Sequence, residues 1–314
     1  MGTIRSILGD IDSADLGFTM PHEHILTKPQ GSGVKATGHV GADHALDDLE
    51  RSVEMCAQYK EAGGDALVEA TPESWGRNTM GMVECSRVSG VHVIACTGVI
   101  CEEHGMDPET SGKSVSQIAD EMIRDVVEGM DGTTHKAGWI KVGTAYMHIT
   151  ANEEKYIRAG ALAATRTGVP LHAHTTGGTM GIEICEILKE ENFDMERMII
   201  AHVDRNPDLW YHRQMLGFGV YLIYDGPGKA KYYPDTIRVD LLRQLVNDGF
   251  ADRLMLCNDM GRRSYHPAYG GGPGLSWIKE RFIPRLRNEG FDENVVNGFM
   301  YDNPARIYSM VPPR

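Results

Sequence analysis

At 314 residues, with 41% hydrophobic residues and a formal net charge of −13, the chain is an acidic globular protein, long enough for one large α/β barrel or two smaller domains. That charge argues against non-specific binding of nucleic acid or anionic membranes, and any anionic substrate must be held by a local cluster of Lys and Arg. No run approaches the ~18–20 apolar residues of a membrane span, no basic-then-apolar leader opens the chain, and six cysteines without a C-x-x-C pair read as reduced thiols of a cytoplasmic protein.

Strands are expected at Gly17–His24, Ala66–Thr71, His92–Gly98, Gly138–Thr144, Pro170–Thr175, Met198–Val203, Gly219–Asp225 and Arg253–Asp259. Most are rich in Val, Ile, Leu and Ala without strict polar alternation, as suits parallel strands covered on their outer face. Helices are expected between them, at Leu46–Ala62, Val115–Glu128, Glu153–Thr167, Met180–Glu190, Thr236–Asn247 and Ser276–Asn288. In the second of these, Val115, Ile118, Met122, Ile123 and Val126 recur close to the helical period. Strands alternating with helices predict a (β/α)8 TIM barrel, with residues 1–314 as a single domain. A doubly wound open sheet is the alternative, but no G-x-G-x-x-G follows the first strand. The Gly-rich stretches Thr27–Gly41 and Gly261–Gly274 follow the first and last strands, on the side where a barrel builds its active site. Glu293–Met310 reads as a short helix, a turn at Asn303-Pro304 and a closing apolar turn.

The chemistry lies at the strand ends. Pro21-His22-Glu23-His24 closes the first strand, and residues i and i+2 of a strand share a face, so His22 and His24 form a two-nitrogen claw. Lys141 lies in the fourth strand, His172 and His174 in the fifth, the sixth ends in Ala201-His202-Val203-Asp204, and Asp259 ends the eighth. Imidazole and carboxylate donors gathered at one barrel mouth suit Zn²⁺ and related divalent ions. A strand-end His by itself is more often a hydrogen-bonded core residue. Lys141 is harder to dismiss, because a buried ammonium must be paired, have a lowered pKa or be modified. A neutral lysine amine takes up CO₂ to give a carbamate, which bridges two ions as a carboxylate does. Glu23 alternates away from the claw and is expected to make a structural contact. His92 begins its strand, at the wrong end, whereas His39, His104, His148 and His266 lie in loops at the correct end.

With Ile140-Lys141-Val142, Gly168-Val169-Pro170-Leu171-His172-Ala173-His174-Thr175, Ile200-Ala201-His202-Val203-Asp204, Asn258-Asp259 and Asp302-Asn303-Pro304-Ala305-Arg306 added to the opening claw, the chain resembles the phosphotriesterase family of the amidohydrolase superfamily from Pro21 to about Arg306. The resemblance implies a binuclear metal centre of two divalent ions, Zn²⁺ first, with Mn²⁺ or Co²⁺ as alternatives. His22, His24 and Asp259 would hold the more buried ion, and His174 and His202 the more exposed one. An N-carboxylated Lys141 and a hydroxide would bridge them. His172 and His174 share a face; His174 sits where the family has its ligand. The implied reaction is attack of the bridging hydroxide on a polarised carbonyl or phosphoryl group, with Asp259 taking the proton, assisted by His202 and Asp204.

Substrate choice is expected from the loops. Lys229 and Lys231 follow the seventh strand, and Arg262, Arg263 and Tyr265 the eighth. These are the usual phosphate-binding loops of a barrel, and the cluster is the local anion site that an acidic protein requires. Asp-Met-Gly-Arg-x-Ser-Tyr with an upstream lysine resembles the branch of the family that hydrolyses phosphorylated sugar lactones, which implies Lys231, Arg262 and Tyr265 on the phosphate. Lys229 and Arg263 are further candidates. The expected substrate is an aldono-1,4-lactone 5-phosphate, its carbonyl at the metals. A hydrolase of neutral esters, phosphotriesterase-like or arylesterase-like, and a non-catalytic metal-binding barrel are the alternatives. A homo-oligomer is left open.

Overall fold

A computed structural model of the protein describes residues 2–29, 41–106 and 108–314. An antiparallel hairpin, β1 (Thr3–Ser6) and β2 (Gly9–Asp12), opens the chain. It was not expected, because its strands are short and mostly polar; Ile4 and Ile7 anchor it, with Ile11 packed against the same core. The barrel strands follow: β3 (Thr19–Glu23), β4 (Ala66–Glu69), β5 (His92–Ile94), β6 (Cys96–Gly98), β7 (Trp139–Thr144), β8 (Leu171–Thr175), β9 (Met198–Ile200), β10 (Tyr221–Tyr224) and β11 (Leu254–Leu256). All their pairings are parallel, in the orders β3-β4-β5 and β6-β7-β8-β9-β10-β11.

The expected third strand, His92–Gly98, is therefore one strand broken at Ala95. Its first half pairs with β4 and its second with β7. Gly98, at φ 104°, runs so close to the Lys141 carbonyl that any side chain would collide with it. That approach brings the end of β6 against the strand carrying Lys141.

Between β11 and β3 there is no backbone ladder, and a side chain closes the seam. The fully buried Glu23 carboxylate accepts the amides of Asn258 (2.8 Å), Asp259 (3.0 Å) and Met260 (2.7 Å), which follow β11. The expected structural contact of Glu23 is thus a suture across the barrel, and it places Asp259. Glu23→Ala would leave three amides without their acceptor, at about 1–3 kcal/mol each where buried. Urea unfolding is expected to show a loss of about 3 kcal/mol or more, with Glu23→Gln losing less because an acceptor oxygen remains.

The helices are α1 (Leu49–Glu61), α2 (Thr79–Ser89), α3 (Val115–Val127), α4 (Ala151–Thr167), α5 (Gly181–Glu190), α6 (Leu209–Gly217), α7 (Asp235–Asn247), α8 (Ile283–Asn288), α9 (Glu293–Asn297) and α10 (Asn303–Tyr308). Side chains cap several of them. Ser114 with Gln117 and Thr150 with Glu153 form capping boxes at α3 and α4. Two were not expected. In α2 glycine and serines dilute the apolar stripe, and α6 is only nine residues long; their starts are set by Asn78 and Asp208, which cap them. At the carboxyl end the expected turn at Asn303-Pro304 is helical, because Pro304 falls in the first turn of α10, where its missing N–H costs nothing. Asn303 Nδ2 donates to the carbonyls of Ala251 and Leu254, holding α10 against the base of β11. Among the described residues no helix is long and apolar enough to cross a membrane.

Candidate active site

The carboxyl ends of the strands open into a cavity of about 530 Å³. His22, His24, Lys141, His174, His202 and Asp259 all line it, so one site brings together every residue expected to hold metal. Their hydrogen bonds decide what each imidazole offers.

Four chains of donors and acceptors start from the rings. His22 Nδ1 lies 3.0 Å from His172 Nε2, His172 Nδ1 lies 3.5 Å from the Tyr308 hydroxyl, and that hydroxyl donates to the Pro21 carbonyl at 3.0 Å. Followed back, the protons sit on His172 Nδ1 and His22 Nδ1, and His22 Nε2 keeps a lone pair. That nitrogen is buried and has no partner. Thr71 donates to Glu69 Oε1 at 2.5 Å and so accepts from His24 Nδ1 at 2.8 Å, freeing His24 Nε2. The backbone amide and Nδ1 of His202 both donate to Asp225 Oδ2, at 2.7 and 2.5 Å. Thr176 donates to the Thr144 carbonyl and accepts from His174 Nε2 at 3.2 Å. His174 Nδ1 and His202 Nε2 then face each other at 2.7 Å. Lone pairs held that close repel unless a cation sits against them.

The four free nitrogens are therefore a donor set for cations, with each far nitrogen pinned as metal-binding histidines usually are. His172 does not line the cavity: its ring is tilted against Trp139 with centroids 4.7 Å apart, and both its nitrogens are engaged, one of them with His22. Burial holds His22, His172, His174 and His202 well below the usual imidazole range, so they are neutral at pH 7. Sidedness follows: each takes up a proton below about 6.5 only when unfolded. The metal-free protein is expected to lose stability as pH falls below 6.5, approaching about 5 kcal/mol per pH unit if the four act alone. Melting temperature against pH checks this; a flat profile from pH 7 to 5 would refute it.

Asp259 adopts φ 50° and turns its carboxylate into the cavity. Oδ1 lies 3.4 Å from His24 Nε2 and 4.0 Å from His22 Nε2. Oδ2 accepts from Arg205 at 2.6 Å and lies 3.3 Å from Lys229 Nζ, which also donates to the Asp259 carbonyl at 2.6 Å. Burial pushes this carboxyl up, but Lys229 and Arg205 outweigh it and hold it well below the usual range. The potential ligand atoms of His22, His24 and Asp259 lie within 4.8 Å of one another, as do those of His202, Asp225 and Asp259. Lys141 is buried, donates to the Ala70 carbonyl at 2.5 Å, and has its pKa lowered by burial.

Behind this layer is a set of residues that sequence reasoning missed. Asp225 orients His202 and, through Oδ1, accepts from Arg205 at 3.1 Å. Asp204, anticipated as a relay or an orienting group, faces away from the cavity. It accepts the amides of Asp225 and Gly226 and is paired with the buried Arg238. Arg205 also stacks on Tyr232, 4.9 Å from the ring centroid. The signal for Asp225 and Arg205 was slight: one ends a predicted strand, the other follows His202-Val203-Asp204.

Lys229, Lys231, Arg262 and Tyr265 line the cavity. Lys231 Nζ stands 5.5 Å from the Tyr265 ring centroid, and Lys229 Nζ 5.4 Å. Arg262 is 3.6 Å from Asp43, its nearest carboxylate. Arg263, expected with them, points the other way: it donates to the Ala45 carbonyl and to Asp47, outside the cavity. His104 lines the wall, with His44 and Trp75, which were not anticipated. His148 is exposed, and the buried His266 is bound to the Met260 carbonyl. His39 lies outside the described residues.

Residues 2–308 match the phosphotriesterase family. The chain is 29% identical to a phospho-furanose lactonase of Mycoplasmopsis synoviae, over 96% of this chain and 90% of that one. It superimposes on a lactonase from Listeria monocytogenes with a TM-score of 0.93 and 34% identity, over 99% of this chain and 100% of the other. The phosphotriesterase homology protein of Escherichia coli, solved with phosphate in its active site, gives 0.88 and 33%, over 94% and 99%. A (β/α)8 barrel with this mouth and these relatives is an ester-bond hydrolase. The chain belongs to the phosphotriesterase family.

Proposed function

We propose that the protein opens a phosphorylated sugar lactone of the aldono-1,4-lactone 5-phosphate type. The observation that carries this reading is the cavity's division of labour. Lone pairs of His22, His24, His174 and His202 converge at its floor, while Lys231, Arg262 and Tyr265 stand on a wall made by the loops after β10 and β11. The phospho-furanose lactonase and the phosphate-bound relative support the same reading. A neutral ester would leave Lys231, which pairs with no carboxylate among the described residues, without a counter-charge, whereas Arg262 already faces Asp43.

In this reading His22, His24 and Asp259 would hold one divalent ion and His174 and His202 a second, and a carboxylated Lys141 would add oxygen donors to both. Zn²⁺ suits the nitrogen-rich set, with Mn²⁺ or Co²⁺ as alternatives. Such ions supply a Lewis acid and an ionised water at neutral pH. Asp259, whose Oδ2 is held by Arg205 and Lys229, would accept the proton of the attacking water on its carboxylate and pass it to the leaving ring oxygen. His202, pinned by Asp225, keeps its free nitrogen toward the carbonyl end. Lys231, Arg262 and Tyr265 bind the phosphate and so fix the ring for attack.

The test is a panel of aldono-lactones, each with and without a 5-phosphate, followed by proton release. The phosphorylated members are expected to react with kcat/KM at least about 100-fold higher, the effect of one or two charge-assisted contacts. Equal rates for both forms would sink the assignment.

A further inference from the structure

Beside the cavity, after β6, a thiol and two imidazoles meet. The potential ligand atoms of Cys101, His104 and His174 lie within 4.8 Å of one another. Cys101 is buried against Trp75 and Ile100 in an apolar cluster separate from the main core. It precedes a single turn, Glu102–His104, whose His104 amide donates to the Cys101 carbonyl at 3.1 Å and so returns His104 towards the cysteine. The His104 ring stands 5.1 Å from Trp75 and 6.1 Å from His174, at 89° to the latter. The proposed hydrolysis uses neither Cys101 nor His104.

One thiolate and two imidazoles suit soft and borderline divalent ions and poorly suit Mg²⁺ or Mn²⁺. His104 and His174, with Glu103, line the cavity, so the cluster borders it. We propose that Cys101, His104 and His174 form a further site, sharing His174 with the proposed metal pair, for a soft divalent cation of the Zn²⁺ or Cd²⁺ kind, and that filling it inhibits the enzyme by engaging His174. Binding is an exchange: the S–H bond breaks, a sulfur–metal bond forms and the proton leaves to water, while His174 Nδ1, its one unprotonated nitrogen, turns from the proposed metal pair to the new ion. The inhibition rests on His174 serving the proposed metal pair; the site itself needs only the three side chains.

Cadmium tests both parts. The holoprotein, its metal content counted beforehand, is titrated with Cd²⁺ while absorbance and hydrolysis are followed. A thiolate-to-cadmium charge-transfer band is expected, saturating at about one added ion per chain, with hydrolysis falling about tenfold or more over the same range. Cys101→Ser and Cys101→Ala are expected to lack the band, to keep basal hydrolysis, and to tolerate about tenfold more Cd²⁺. No band in the parent protein, or an undiminished band in both variants, which would then come from the other cysteines, overturns the site. A band with hydrolysis unchanged overturns the inhibition. A metal count far from two before cadmium is added argues against the metal pair, not against this site, because the band reports the Cys101 thiolate.

Discussion

Lys141→Met is expected to reduce the bound divalent ions from about two per chain to one or none, and kcat by about 10³-fold or more. The side chain is fully enclosed, its pKa is lowered by burial, and it lines the same cavity as the four imidazoles. Methionine keeps most of the volume and removes the nitrogen, so the barrel should still fold. Metal analysis and melting temperature read the two effects separately. Two ions in a folded Lys141→Met protein would refute the bridging role. Restoration of metal content by a short carboxylic acid added to the variant would support it, because such an acid replaces the bridging oxygens.

The second large effect concerns the substrate. Arg262→Ala and Lys231→Ala are each expected to lower kcat/KM for a phosphorylated lactone by about 10- to 150-fold, the worth of a hydrogen bond to a charged group. For a neutral lactone or ester the change should stay within about threefold. Arg263→Ala serves as the control, since its guanidinium is spent on the Ala45 carbonyl and Asp47. Equal losses on both substrates would show that the loop cations shape the site without reading the phosphate. The substitutions should act mainly through KM if the phosphate is held equally in ground and transition states, and through kcat if it orients the ring.

How far the sequence could be read is clearest at these residues. That the expected metal ligands share one cavity was legible because parallel strands bring their carboxyl ends to one mouth, whatever their spacing along the chain. Arg262 and Arg263 were separated only by the resemblance, which put Arg262 on the phosphate, since adjacent residues in a loop obey no periodicity; the contacts of Arg263 with Ala45 and Asp47 turn it aside. The break at Ala95 was equally invisible, because His92–Gly98 is a continuous apolar run whichever neighbour each half pairs with. Asp225 and Arg205 carried almost no signal, as their roles come from cross-strand approach.

Glu23 shows the division most plainly. Alternation along β3 turns it away from His22 and His24, and that much was in the sequence. That its carboxylate sutures β3 to the residues after β11 is a contact across 235 to 237 positions, decided only when the barrel closes. The same holds for the tautomers of the four imidazoles. The sequence by itself determined which donors this protein owns and at which end of the barrel they gather, because strand periodicity and strand order are local properties. The tertiary structure alone decided which nitrogen of each ring is free, which oxygen of Asp259 is engaged and which loop cations face the cavity. Hydrogen bonds act over about 3 Å and are directional, and here their partners come from distant parts of the chain.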